Sequence, residues 1–222
     1  ASQLNPRSQF YLSFNLGFPN ALEASQGFTG SALMVHGACT SAGCFAMTDQ
    51  GVQEIYSVAR DALAAGQSSF QVQALPFRMS AENMVRHRDD PHMPFWKNLK
   101  EGADHFNATR QPPRVAACEK RYVFNARDGL SLVPGQACGT IETAPGIGPL
   151  VSQYQAAEEE KISLVSASIK HPAYRLTDGG MHPSFRRVLK SVGPKGLQVA
   201  TSGDVEISRP DAALADPYGE ER

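Results

Sequence analysis

Long hydrophobic runs are missing from this 222-residue chain: nothing approaches the roughly 20 apolar residues that a bilayer-crossing helix requires, so no transmembrane segment is expected. Charge of one sign is missing too. The 21 Lys and Arg and the 22 Asp and Glu are well mixed and leave a net charge of -1, which provides no footprint for a polyanion and argues against a nucleic-acid partner. Cysteine is sparse. Cys39, Cys44, Cys118 and Cys138 are too few and too scattered for a disulfide-built scaffold, and they leave the compartment open. Neither a paired Cys-x-x-Cys nor a pair of histidines supplies a convincing fourth ligand to His36, Cys39 and Cys44, so zinc is a minor alternative and no metal or cofactor is expected. Internal repeats are absent.

The 41% hydrophobic content is enough for one domain with a real core. Phe10, Leu12, Phe14 and Leu16 alternate with polar neighbours, which predicts a strand with one buried face. The apolar run Ala32 to Val35 predicts a second, fully buried strand. Val52, Ile55, Tyr56, Ala59, Ala62 and Leu63 fall on one face of a helix that Thr48 or Asp49 would cap and Gly66 would close. Further along, the pattern predicts a strand over Phe70 to Leu75, a short helix opened by Ser80 and running to Arg88, a helix over 94–108, and a strand pair within Val115 to Phe124. Trp96, Phe95, Met79 and Met84 read as core. Beyond Asn125 glycine and proline punctuate the chain, with a helix expected from Leu150 to about Ser166 and a polar end. Two regions follow: 1–125 as the structured domain and 126–222 as a partly disordered extension, dispensable for chemistry beyond about residue 205.

The chemistry concentrates in "LMVHGACTSAGCFAMTD", residues 33 to 49. A buried strand delivers His36, and a Gly-rich loop returns Cys44 to the start of a helix, where the positive end of the dipole favours thiolate and an imidazole can take the proton. Gly37 and Gly43 permit close backbone approach, and the amides around Gly43 and Cys44 could face an oxyanion. The plainer reading makes the cysteines small buried hydrophobes and His36 a hydrogen-bonded core residue.

Residues 30 to 49, "GSALMVHGACTSAGCFAMTD", with "SQFYLSFNLGFPNA" before them and "PFRMSAENM" and "FWKNLKEGADHF" after them, resemble the L,D-transpeptidase catalytic domain, or YkuD domain, in its YafK-like branch. The resemblance spans roughly residues 3 to 125. It implies a mixed α+β, mainly β fold: an L,D-transpeptidase-like β-sandwich with flanking helices. That family carries several strands ahead of "LNPRSQFYLSFN", which are expected to be absent from this chain.

Carried over by position, the resemblance makes Cys44 the nucleophile, His36 its base and the Gly37 carbonyl the group that orients the imidazole, with Ser41 and Gly43 shaping the turn beside the substrate. The wider family has arginine where this chain has Ala46, and the YafK-like branch tends to have alanine there as well; Arg78 is the candidate to hold a substrate carboxylate instead. Cys39 would be a spectator, a resolving thiol, or half of a bridge to Cys118 or Cys138.

The implied activity is a cysteine-dependent transpeptidase or amidase that acts through a thioester on peptidoglycan stem peptides, or on linkages between peptidoglycan and a lipoprotein or outer-membrane protein, in the bacterial periplasm. The alternative from another class is a non-catalytic peptidoglycan-binding module of the same fold.

Overall fold

The computed structural model describes residues 3–30, 33–38, 41, 43–169, 190, 191 and 193. In chain order the elements are β1 (Leu4–Asn5), β2 (Ser13–Asn15), α1 (Ala21–Ser25), β3 (Met34–His36), β4 (Phe45–Ala46), α2 (Asp49–Ala64), α3 (Ala81–Arg86), α4 (Met93–Thr109), β5 (Val115–Cys118), β6 (Arg121–Phe124) and α5 (Gly148–Ser168). The fold is mixed α and β. Helices outweigh the short strands among the described residues, which corrects the mainly β expectation. No helix among these residues is long and apolar enough to cross a membrane. The described residues divide into two units, the first built on residues up to Pro19, on Thr29–Val72 and on residues 190, 191 and 193, the second on Asn20–Phe28 and residues 73–169.

In the first unit, β1, β2, β3 and β4 form a sheet in that order, antiparallel except for the parallel β3–β4 pair. The predicted strand over residues 10–16 is shorter than its hydrophobic pattern because Tyr11 sits at φ 70°, outside the β region. Both Ser13 and Phe14 are buried, so both faces of β2 are covered rather than one.

Helix α2 forms where its signals fall. Thr48 caps it by accepting the Gly51 amide at 3.0 Å, Asp49 stands in the first turn where the dipole favours an acid, and Gly66 follows its end at φ 101°. Its buried residues Val52 and Tyr56 pack with Phe14 and Val35, and Leu4, Leu12, Leu16 and Met47 surround them. Each such side chain contributes roughly 1.5–3 kcal/mol when fully buried, so this cluster holds the helix on the sheet that carries His36. The strand predicted over Phe70 to Leu75 does not form. Phe70 instead sets its ring edge-on to Phe14 at 5.7 Å and stays partly exposed.

The second unit is helical around a β5–β6 hairpin. Phe77, Met84, Met93 and Trp96 form its core with Met79, Leu99 and Ile162 against them. Trp96 and the methionines are core residues as predicted; Phe95 is not, being 45% exposed. Ser80 caps α3 through the Asn83 amide, and the helix ends at Arg86, before the Arg88 expected. Gly102 lies inside α4 because a Cβ there would meet the Phe124 ring at 2.5 Å. Helix α5 packs on α3 and α4, burying Val151 and Glu158. Glu158 approaches the buried Lys100 to 3.8 Å, and Lys100 bonds Asp104 at 2.7 Å. Burial holds the Asp104 carboxyl above its ordinary range against the opposing pull of Lys100.

The β5–β6 turn places Glu119 and Lys120 at φ 48° and 58°, and their amides donate to the carbonyls of Gln136 and Pro134 at 2.7 and 2.8 Å. A Cys118–Cys138 disulfide fixes that loop to the strand. The bridge from Cys39 to either cysteine therefore does not exist. Cys39 itself lies outside the described residues, as do His171, His182 and everything beyond residue 193.

Candidate functional site

His36 ends β3, at a position where the apolar run has buried the strand, and is itself 4% exposed. Its Nδ1 lies 2.6 Å from the Gly37 carbonyl oxygen. A carbonyl only accepts, so Nδ1 carries the hydrogen and the neutral ring keeps Nε2 bare. The Phe10 ring lies against the imidazole, centroids 4.7 Å apart, and the His36 carbonyl accepts the Met47 amide at 2.7 Å. The ring is thereby fixed on one side by a backbone acceptor and on another by an aromatic face.

Gly37 is held by crowding. Its amide donates to the Phe10 and Leu12 carbonyls at 3.0 and 3.2 Å, and a Cβ would meet Asp49 Oδ1 at 2.5 Å, Phe10 O at 3.0 Å and Tyr11 Cβ at 3.1 Å. Asp49 Oδ1 accepts the amide of Ala38 at 2.8 Å, which secures a residue at φ 61°. The acid at the start of α2 thus ties the His-Gly turn to the helix.

The return half of the loop runs through Ser41, whose Oγ accepts the Gly43 amide at 3.0 Å, and through Gly43 at φ 135°, a conformation that a Cβ disfavours. With its amide on Ser41, Gly43 is not presenting that donor to an oxyanion. Cys44 follows as a half-buried thiol outside any disulfide. Strand β4 begins at the next residue, so Cys44 leads into a strand rather than into the cap of α2, correcting the helix-cap expectation; the α2 terminus is served by Thr48.

The parallel register pairs His36 with Ala46. Side chains alternate along a strand, so Ala46 shares the face of His36, and residue 44, two positions back, falls on that same face if the alternation continues. Arg78 belongs to the second unit, is exposed, and uses its carbonyl to accept from the Ser80 amide and Asn83 Nδ2 at 2.7 and 3.0 Å. Among the described residues no group of three or more His, Cys, Asp or Glu is arranged to hold a metal ion.

Sequence reasoning missed Asp49, Phe10 and Ser13, which all touch or face this turn. Asp49 carried a signal as an acid in a helix's first turn; the other two looked like ordinary strand residues.

No family model matches the chain. Over 124 residues, however, it is 48% identical to the Escherichia coli K12 protein named "Putative L,D-transpeptidase YafK", and equally to the protein of that name from E. coli O157:H7. The resemblance to the YafK-like L,D-transpeptidases holds. It covers 56% of this chain and 50% of each relative, so the chain spans about half the length of the curated YafK proteins it matches.

Proposed function

We propose that the chain is a cysteine-dependent peptidoglycan enzyme, an L,D-transpeptidase or related amidase, with Cys44 as nucleophile and His36 as its base. The observation that carries this reading is the 2.6 Å contact between His36 Nδ1 and the Gly37 carbonyl. It leaves Nε2 as the bare nitrogen, the state a general base requires. The likeness to the YafK proteins supports the same class.

The thiol proton of Cys44 passes to Nε2, and the thiolate attacks the carbonyl carbon of an amide beside a diaminopimelate centre. When the C–N bond breaks, Nε2 returns the proton to the leaving amine and an acyl thioester remains on Cys44. An acceptor amine or water then attacks the thioester and loses a proton through Nε2, and the thiol is restored. The amine gives transpeptidation; water gives hydrolysis. Ser41 and Gly43 shape the turn at the thiol.

Substrates are stem peptides, or protein joined to peptidoglycan such as a lipoprotein or outer-membrane protein, which assigns the protein to the periplasm. The Cys118–Cys138 disulfide supports an oxidising compartment of that kind.

Intact-protein mass spectrometry after incubation with a carbapenem tests the reading. A single acyl adduct that disappears in Cys44→Ala is expected. An unmodified protein, or an adduct that survives the substitution, defeats it.

A further inference from the structure

Ser13 is 1% exposed, and its Oγ has no hydrogen-bond partner among the described residues. A buried hydroxyl left unpaired costs about 1–3 kcal/mol, and alanine at that point of the strand would carry no such penalty. The hydroxyl therefore does not hold the fold together.

Its neighbour is His36. The antiparallel register sets Ser13 directly opposite His36. The Gly37 amide donates to the Leu12 carbonyl at 3.2 Å and the Leu16 amide to the Leu33 carbonyl at 3.0 Å, so residues 12 with 37 and 16 with 33 are the hydrogen-bonded pairs of this ladder. Pairs alternate along an antiparallel ladder, which makes Ser13 with His36 a non-hydrogen-bonded pair, the kind whose side chains stand closest, on one face and about 4.5–5.5 Å apart at Cβ. Ser13 is thus the cross-strand neighbour of His36 on the β2 side, as Ala46 is on the β4 side.

We infer that Ser13 is a positioning residue for His36, with its hydroxyl oxygen held for the imidazolium that forms when His36 takes the thiol proton. This rests on the proposed pairing of His36 with Cys44. In the neutral state Nδ1–H is already satisfied by Gly37, and the ring has nothing to give Ser13. Once Nε2 is protonated the ring is a cation in a buried site, and a turn of the Ser13 side chain about its Cα–Cβ bond brings the hydroxyl oxygen toward it as an acceptor. Ser13 neither donates nor receives the transferred proton. The other titratable groups on elements packed against β3 are Tyr11 ahead of β2, Cys44, and Asp49 and Tyr56 on α2; Glu54, Arg60 and Asp61 on α2 are exposed.

The test is the rate of Cys44 alkylation by iodoacetamide in the full chain, followed on the Cys44 peptide by mass spectrometry and expressed as the ratio of the rate at pH 6 to that at pH 9. A hydrogen bond to a charged group is worth about tenfold, so Ser13→Ala is expected to lower that ratio about tenfold, with a melting temperature no lower than the native one. Ser13→Thr keeps the hydroxyl and is expected to hold the native ratio. A native ratio in Ser13→Ala overturns the inference, as does an equal loss at both pH values with a lowered melting temperature, or a threonine ratio as low as alanine's. His36→Ala separates the two readings. If it lowers the ratio and Ser13→Ala does not, the inference on Ser13 alone falls; if it leaves the ratio unchanged, the pairing falls and Ser13 with it.

Discussion

Asn125 donates from Nδ2 to Nδ1 of His105 across 2.9 Å in the buried interior of the second unit. The amide's orientation is set independently, because Asn125 Oδ1 accepts the Arg114 amide at 2.9 Å. Nδ1 of His105 is therefore an acceptor and the ring is neutral, in agreement with burial lowering its pKa from 6.5.

Protonation of His105 would set two donors against each other, so acid should weaken this unit. Between the lowered folded value and 6.5 the unfolded chain binds more protons than the folded one, and stability falls as pH falls. The contribution is full above about 6.5. Thermal melts are expected to lose more between pH 7.5 and pH 5.5 in the native chain than in His105→Gln, whose amide oxygen can still accept from Asn125. Equal losses would remove His105 as the sensitive group.

The Cys118–Cys138 bridge closes a loop with a sequence separation of 20, which by chain entropy stabilises the fold by ~3 kcal/mol. Reduction also frees the segment whose Pro134 and Gln136 carbonyls receive the two turn amides of Lys120 and Glu119. Dithiothreitol should lower the melting temperature, and hydrogen exchange at Glu119 and Lys120 should accelerate. A double Cys118→Ser, Cys138→Ser chain that melts like the native one would count against both expectations.

What could be read from sequence follows from where each signal is local. Helix α2 announced itself through Thr48, the apolar positions 52, 56 and 59, and Gly66, all of which act within the helix. The hairpin over 115–124 and the Ser80 cap were legible for the same reason. The strand expected at Phe70 to Leu75 was not, because such a segment becomes a strand only if a neighbour supplies the ladder, and none does among the described residues.

Pairing of Cys118 with Cys138 was open among several connectivities that spacing cannot separate. At the candidate site, His36, Gly37 and Cys44 stood out by residue type. Ser13 did not, since alternation put it on the solvent side of β2, and only the second covered face makes it buried.

Gly37 offers the sharpest test of the turn itself. Its φ is not left-handed, so alanine is not barred by backbone conformation; it is barred by Asp49 Oδ1 at 2.5 Å and by the Phe10 carbonyl at 3.0 Å. Gly37→Ala should therefore cost about 1–3 kcal/mol as overpacking and shift the carbonyl that orients His36. Asp49→Ala removes the nearer obstacle, yet it also strips the acceptor from the Ala38 amide, which it holds at 2.8 Å. Each single change damages the turn, but the double variant no longer contains the carboxylate clash. The two effects should fall short of additive, by about 0.5 kcal/mol or more in a double-mutant cycle of denaturant melts. Strict additivity would mean that the backbone contact with Phe10, not Asp49, sets the limit at this glycine.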